Sequence, residues 1–278
     1  MRLLLSALLV SGLLATAARA EQRVVATLQP IALVVEALTG EMPTVLSDGG
    51  AGHEHGGSLL PSDARAVAEA DLVLWIGPAL EPGIAAALRE GSRAIALADV
   101  EGAPRRTGAG GVPDPHLWLD PAGMEAMGDA IAAALPTILG ERAPDGLDAA
   151  AARFAEALSS ARKAIASRME PLAARPYAVE HDAFRHFAEA FGLAEPLAFG
   201  TGAMGARTLR AARAEVAERG ITCLIVEPGE PSRLAEALGD DVRPVAIDPL
   251  GRDATDPVDL LERVARGFEA CLRDGAGG

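Results

Sequence analysis

The longest helical pattern of the chain, Leu147 to Glu170, lies between two stretches in which short apolar runs alternate with helical patterns. At 1.5 Å per residue this helix would be roughly 36 Å long. Its large apolar residues fall on one stripe, and Pro171 ends it: Leu147, Phe154, Leu158, Ile165 and Met169. Strands that alternate with helices are typical of βα units and mostly parallel sheets. We therefore expect an α/β protein with two lobes, 21–142 and 174–278, joined by a linking segment at 143–173.

The two flanking stretches predict similar series of elements. Before the long helix, strands are predicted at 23–28, 71–77 and 93–97, and helices at 30–38, 62–69, 81–89 and around 124–135. After it, strands are predicted at 177–179, 221–226 and 243–247, with helices ending at 191, spanning 207–219 and starting at Asp256-Pro257. The pattern leaves open that the two lobes are copies of one architecture.

Residues 1–20 have the features of a secretory signal peptide. Arg2 precedes the apolar run Leu3–Ala17, and Ala18-Arg19-Ala20 forms a cleavage site. The alternative is a membrane anchor, but the run is too short to span a bilayer comfortably. No cysteine follows that could carry a lipid, and no later stretch is long and apolar enough to cross a membrane. We therefore expect an exported protein that does not itself span the membrane.

The charge balance argues against nucleic acid as a partner. The chain has 39 acidic and 25 basic residues, a formal net charge of −14, and 3% aromatic residues. Nucleic-acid binding needs patches of Lys and Arg on the phosphates and often aromatic rings on the bases.

The two cysteines, Cys223 and Cys271, both lie in apolar patterns. Cys223 is in a predicted buried strand, and Cys271 continues the apolar stripe of the last helix, Leu261, Val264 and Phe268. They could be two unrelated buried thiols. In an exported protein with only two cysteines, a disulfide is favoured.

Candidate metal ligands lie in loops or at the ends of predicted strands. In Asp114-Pro-His-Leu-Trp-Leu-Asp-Pro121, alternation in an extended segment would place His116, Trp118 and Asp120 on one side. His181 follows the strand at 177–179, at the edge where α/β sheets place ligands. His186 projects opposite the apolar stripe of its helix, Phe184, Phe187 and Phe191, and is predicted to lie on the surface.

The remaining candidates are His53-Glu54-His55, in a glycine-rich loop, and Asp248, which follows the strand at 243–247. Each is weak evidence by itself, since mobile loops often carry histidines and Asp248 could simply cap a turn. Three neutral imidazoles and one carboxylate together form a four-ligand site that suits Zn²⁺.

From about Val24 to Cys271 the chain resembles the zinc-binding solute-binding proteins of bacterial ABC transporters, the metal-specific cluster of periplasmic binding proteins. Several motifs in the family's order carry the resemblance: Val25-Ala-Thr-Leu-Gln-Pro30, Glu54-His55 six residues before Pro61, Ala70-Asp-Leu-Val-Leu-Trp-Ile-Gly-Pro78, His116-Leu-Trp-Leu-Asp-Pro121, His181-Asp-Ala-Phe184, Thr222-Cys223 leading to Glu227-Pro228, and Asp248-Pro-Leu-Gly251. Where many zinc members carry a loop rich in histidine and acidic residues, this chain has Arg105-Arg-Thr-Gly-Ala-Gly-Gly111.

The resemblance implies a metal held in the cleft between two lobes that a rigid helix joins, and a disulfide between Cys223 and Cys271. Matched position by position, it implies the ligands His55, His116, His181 and Asp248. His53 lies eight residues before Pro61, not six, and does not match the family position, so we predict that it is an accessory group, as is Glu54. It implies that the protein binds zinc in the periplasm for an inner-membrane ABC permease and its ATPase, and we expect a monomer without enzymatic activity.

Three alternatives remain open. Manganese-type relatives usually carry a carboxylate where this chain has His181, and a third imidazole favours Zn²⁺ over Mn²⁺. A zinc storage protein or metallochaperone would have the same site. An amidohydrolase barrel also uses H-x-H, but that motif should end a strand, a bridging lysine is often needed, and Lys163, the only lysine, lies in the long helix.

Overall fold

A computed structural model describes residues 23–46, 59–108, 111–200, 205–229 and 232–273. The strands in these ranges are β1 (Val24–Ala26), β2 (Thr44–Val45), β3 (Leu72–Trp75), β4 (Ala94–Ala96), β5 (Ala178–Val179), β6 (Leu197–Ala198), β7 (Cys223–Val226) and β8 (Arg243–Ala246). The α-helices are α1 (Gln29–Thr39), α2 (Pro61–Glu69), α3 (Pro82–Ala87), α4 (Pro121–Leu139), α5 (Leu147–Met169), α6 (Arg185–Ala190), α7 (Ala206–Arg219), α8 (Arg233–Leu238) and α9 (Pro257–Arg273).

The strands form two four-stranded sheets with the same topology. The order is β2-β1-β3-β4 before α5 and β6-β5-β7-β8 after it, and every paired strand is parallel. The prediction of an α/β fold with two mostly parallel sheets is confirmed. In the first sheet, β2 is added on one side of β1 and the later strands on the other side, so the strand order switches between β1 and β3. The second sheet has the same switch between β5 and β7. Ligand sites of such sheets lie at the carboxyl ends of the strands beside this switch point.

Three short elements were missed by the sequence analysis: the strands β2 and β6 and the helix α8. Each of the two strands has two residues and lies at one edge of its sheet. Two residues show no alternation, and six residues of helix give fewer than two turns of periodicity. These elements depend on pairing and packing with distant parts of the chain.

The core joins the two sheets through α5, which with 23 residues is the longest of the described helices. Its predicted stripe is buried, and one continuous apolar cluster extends from Val24 in β1 to Leu272 in α9. Phe154 of α5 packs against Gly128 of α4 so closely that a Cβ at Gly128 would lie 2.6 Å from the ring. Tightly packed interiors resist deformation, so this shared core favours small relative movements of the lobes.

Helices begin and end at residues that are typical of helix termini. Helix α1 ends at Gly40, whose φ of 75° is in the left-handed region that glycine adopts without strain. Asp256 accepts a hydrogen bond of 2.8 Å from the backbone N of Asp259, which confirms the predicted cap of α9. A disulfide joins Cys223 of β7 to Cys271 of α9, as predicted, and both cysteines are buried.

Candidate metal centre

His116 lies in the loop between β4 and α4 and is held there by Asp114. The carboxylate oxygen Oδ1 of Asp114 accepts a hydrogen bond from the backbone N of His116 at 3.0 Å and lies 2.6 Å from its Nδ1. Both side chains are buried. Burial alone would raise the pKa of Asp114, but the hydrogen bond and charge of His116 outweigh it and leave that pKa below its usual value.

The segment after His116 is a 3-10 turn, Leu117–Leu119, so the prediction of an extended segment with alternating side chains is wrong. This turn folds back against the first turn of α4. A Cβ at Gly123 would lie 2.0 Å from the carbonyl oxygen of Leu117, so the close approach needs glycine. Asp120 caps α4 by accepting a hydrogen bond of 2.9 Å from the backbone N of Ala122.

His181 lies at the carboxyl end of β5, where the sequence predicts it. Strand β5 pairs with β7 in parallel, and Val179 lies opposite Ile225. Glu227 follows β7 directly and therefore reaches the same edge of the sheet as His181. A carboxylate oxygen of Glu227 is hydrogen-bonded to Nδ1 of His181. This pair lies beside the switch point of the second sheet.

The structure brings His116 and His181 together across the two lobes. Their ring centroids are 5.2 Å apart and their planes are inclined by 74°. Two imidazoles bound tetrahedrally to one ion at Zn–N distances of about 2.0–2.1 Å would have centroids roughly 5 Å apart. Nε2 of His116 is buried and has no hydrogen-bond partner among the described residues. A buried nitrogen of this kind needs a polar partner, and a metal ion can supply one.

Asp248 begins the Asp-Pro-Leu-Gly turn after β8. Its carboxylate accepts hydrogen bonds from the backbone N of Leu250 at 3.1 Å and of Arg252 at 2.7 Å, and the Arg252 guanidinium pairs with it at 3.0 Å. A carboxylate has about four lone-pair sites, which is more than these three hydrogen bonds among the described residues occupy. Trp118, two residues after His116, donates a hydrogen bond to the carbonyl oxygen of Pro249.

The other predicted ligands, His53, Glu54 and His55, lie outside the described residues. In the part of the chain that the structure describes, no group of three or more His, Cys, Asp or Glu residues is arranged to hold a metal. The described portion of the candidate centre is therefore the pair His116 and His181, with Asp248 on a loop tied to the loop of His116.

His186 is fully buried, so the prediction of a surface histidine is wrong. Its Nε2 lies 3.1 Å from the carbonyl oxygen of Asp114, in the first lobe, and this packing covers the helix face opposite the phenylalanine stripe. Burial lowers the pKa of His186, and the charges of Asp114 and Asp120 only partly offset that effect. The helical pattern of the sequence could not show that a second lobe lies against this face.

Arg106 also forms ion pairs that connect the two lobes. It lies in the segment between β4 and α4. Its guanidinium bonds Asp120 at 2.9 Å within the first lobe and Glu189 of α6 at 2.7 Å in the second. A Cβ at Gly108 of the same loop would lie 3.7 Å from Asp182, the neighbour of His181.

Asp114, Glu227 and Arg106 were not predicted from the sequence to have a role at the site. Asp114 precedes His116 by two residues, and Glu227 directly follows a strand predicted to be buried. A carboxylate two residues before a candidate ligand, or at the end of a neighbouring strand, was a usable signal for a histidine partner.

The fold and the paired histidines define a class of two-lobed binding protein with a candidate metal centre between its lobes. The chain belongs to the family described as zinc-uptake complex component A, periplasmic, whose model matches residues 24–271. Among similar curated proteins, the high-affinity zinc uptake system protein ZnuA of Paracoccus denitrificans is 31% identical over 97% of this chain and 97% of its own. The protein of that name from Yersinia pestis is 29% identical over 91% and 92%.

Solved structures share the fold. One is a zinc-bound deletion mutant of ZnuA, with a TM-score of 0.75, 23% identity and coverage of 90% of this chain and 98% of that chain. Another is the periplasmic zinc binding protein TroA of Treponema pallidum, with a TM-score of 0.76, 21% identity and coverage of 91% and 99%. The two separate open sheets differ from the single eight-stranded barrel of amidohydrolases, so that alternative is not supported.

Proposed function

We propose that this protein captures zinc ions in the periplasm and delivers them to an inner-membrane ABC permease with its ATPase for high-affinity zinc uptake. The observation that carries the proposal is the approach of His116 and His181 from opposite lobes, with ring centroids 5.2 Å apart. Membership of the zinc-uptake family and the names of the similar proteins support the choice of ion and of role.

The proposed ligands are His55, His116, His181 and Asp248, with His53 and Glu54 as accessory groups. Three imidazole nitrogens and one carboxylate oxygen suit Zn²⁺, whereas Mn²⁺ prefers oxygen ligands. Each lobe supplies two of the four ligands, since His55 and His116 precede α5 and His181 and Asp248 follow it. Bound zinc would therefore connect the lobes, and its binding energy would add to the stability of the folded protein.

The proposed setting is the periplasm, reached through a signal peptide at residues 1–20 that is removed after export. Among the described residues, no helix is both long enough and apolar enough to cross a membrane. The protein would act as a monomer that binds and releases its ligand without chemical conversion. The division into lobes 21–142 and 174–278 with a linking segment 143–173 is part of this proposal.

The decisive experiment is metal analysis of the purified protein, followed by a titration in which Zn²⁺ and Mn²⁺ compete. We expect one tightly bound zinc ion and preference for Zn²⁺, as the ligand set and the general order of metal affinities predict. Preference for Mn²⁺, or the absence of stoichiometric metal, would overturn the proposal.

Uptake and storage are distinguished in cells. A strain that lacks this protein should accumulate radiolabelled zinc more slowly at low external zinc, and a plasmid copy should restore the rate. Normal uptake with a smaller pool of bound periplasmic zinc would instead indicate storage. Plasmid copies with His116→Ala or His181→Ala should not restore uptake. The control is Lys163→Ala, a substitution within the linking helix α5, which removes no proposed ligand.

A further inference from the structure

Both histidines of the candidate centre, His116 and His181, are hydrogen-bonded to a carboxylate through Nδ1. Nδ1 of His116 lies 2.6 Å from Oδ1 of Asp114, and Nδ1 of His181 is hydrogen-bonded to Glu227. In both cases the partner is a carboxylate of the same lobe. An ionised carboxylate can only accept a hydrogen bond, so each bond requires the proton of the neutral imidazole to lie on Nδ1.

We propose that Asp114 and Glu227 are positioning residues for zinc: they hold His116 and His181 as the tautomer whose Nε2 lone pair is directed at the ion. The inference rests on the proposed function and adds residues to the proposed ligand set. Carboxylates that accept a hydrogen bond from metal-binding histidines fix the ring orientation and raise the basicity of the ligand nitrogen.

The backbone geometry holds each carboxylate in place. Asp114 also accepts a hydrogen bond from the backbone N of His116, so its carboxylate cannot rotate away without losing two bonds. The backbone that leads into Glu227 is held by sheet pairing, because the backbone N of Glu180 donates to the carbonyl oxygen of Ile225 at 2.9 Å. The residues after β5 and β7 are therefore kept side by side, with His181 and Glu227 facing each other.

The burial of the groups supports a positioning role over a solvated surface contact. The side chains of His116 and Asp114 are 5% and 2% exposed, and those of His181 and Glu227 are 14% and 30% exposed. A hydrogen bond in such a partly dry environment restricts ring rotation more than one in water would. Nε2 of His116, on the opposite side of its ring, is buried with no hydrogen-bond partner in the described chain.

The experiment compares zinc affinities of the wild type and of Glu227→Ala, Glu227→Gln and Glu180→Ala. Glu180→Ala is the matched control, because it also removes one carboxylate charge, at the residue that directly precedes His181. The Glu180 carboxylate accepts a hydrogen bond from the Ser232 hydroxyl and does not bond to the imidazole. We expect Glu227→Ala to bind zinc about 10–100-fold more weakly. Glu227→Gln should lose less, since its amide oxygen can accept the same bond, and Glu180→Ala should stay close to the wild type.

A second measurement reads the tautomer directly. In the zinc-free wild type, ¹⁵N NMR of the imidazoles should show His181 protonated at Nδ1, and Glu227→Ala should lose that signature. A wild-type His181 protonated at Nε2, or equal affinities of Glu227→Ala and Glu180→Ala, would overturn the positioning role. If the wild type itself fails to bind zinc, the proposed function fails, and the tautomer measurement still decides whether Glu227 orients His181.

Discussion

The indole Nε1 of Trp118 donates a hydrogen bond of 2.8 Å to the carbonyl oxygen of Pro249, 131 residues further along the chain. Trp118 follows His116 by two residues, and Pro249 follows Asp248 directly. The bond therefore ties the loop of a candidate ligand in the first lobe to the loop of another in the second. Trp118 is fully buried, so water cannot replace the indole as donor.

Replacing Trp118 by Phe should lower the free energy of unfolding by about 1–3 kcal/mol, because the buried carbonyl of Pro249 loses its donor. Zinc affinity should fall as well, since the loop of Asp248 would be held less firmly against the loop of His116. Urea unfolding and zinc titration measure the two effects. Trp75→Phe in β3 is the control for loss of indole packing alone, and equal results for both variants would contradict the role of the bond.

His116→Ala and His181→Ala should each weaken zinc binding by more than the roughly 10–100-fold that loss of a supporting residue typically costs. Each removes a proposed ligand. His186→Gln should leave zinc affinity nearly unchanged, because its amide can still donate to the carbonyl oxygen of Asp114 and His186 is no proposed ligand. Competition with a chelator measures all three affinities, and a loss of similar size in His186→Gln would mean that the ligand set is wrong.

The buried His186 should make the zinc-free protein less stable in acid. Its pKa is lowered in the folded state, so the unfolded chain, with an ordinary pKa of about 6.5, binds the proton more readily. The contribution is complete above about pH 6.5 and is lost as the pH falls toward the lowered folded-state pKa. Urea unfolding across this range should show a smaller decline for His186→Gln than for the wild type.

At pH 8 the imidazole is neutral in both states, so the difference between His186→Gln and the wild type there reports only altered packing and hydrogen bonding. A parallel decline of both proteins between pH 7 and pH 5 would show that His186 does not contribute to the pH dependence.

Zinc should raise the melting temperature far more at pH 7.5 than at pH 5. Imidazole binds metal only when neutral, and protons compete for the three proposed histidine ligands. At a free zinc concentration 100 times the dissociation constant, the stabilisation would be about 2.7 kcal/mol, and it shrinks as affinity falls. Thermal melts with and without zinc test this, and an equal shift at both pH values would indicate that histidines are not the ligands.

The disulfide should leave no free thiol in the denatured, unreduced protein, and labelling that finds two thiols would contradict it. Cys223 and Cys271 are 48 residues apart, so the chain-entropy model assigns the cross-link about 4 kcal/mol of stability. The double variant Cys223→Ala, Cys271→Ala should unfold at a correspondingly lower urea concentration. The reduced wild type is the matched comparison, because it lacks the cross-link but keeps both sulfur atoms.

The sequence by itself determined the class of fold and the positions of most elements. Alternation of apolar runs with helical patterns depends on residues a few positions apart, so the strands β3 and β7 and the stripe of α5 follow from local periodicity. His181 was placed correctly for the same reason, since the strand before it is visible in the sequence. The choice of His55 over His53 rested on resemblance to a family, and it stays a prediction.

Only the tertiary structure decided which side chains meet. Glu227 lies 46 residues from His181 and Pro249 lies 131 residues from Trp118, and no local pattern encodes either contact. His186 shows the limit of prediction from local periodicity, because the polar face of its helix is covered by the other lobe. Local periodicity reports which face of one element is apolar, whereas packing between lobes decides which polar groups are buried, bonded and directed toward a ligand.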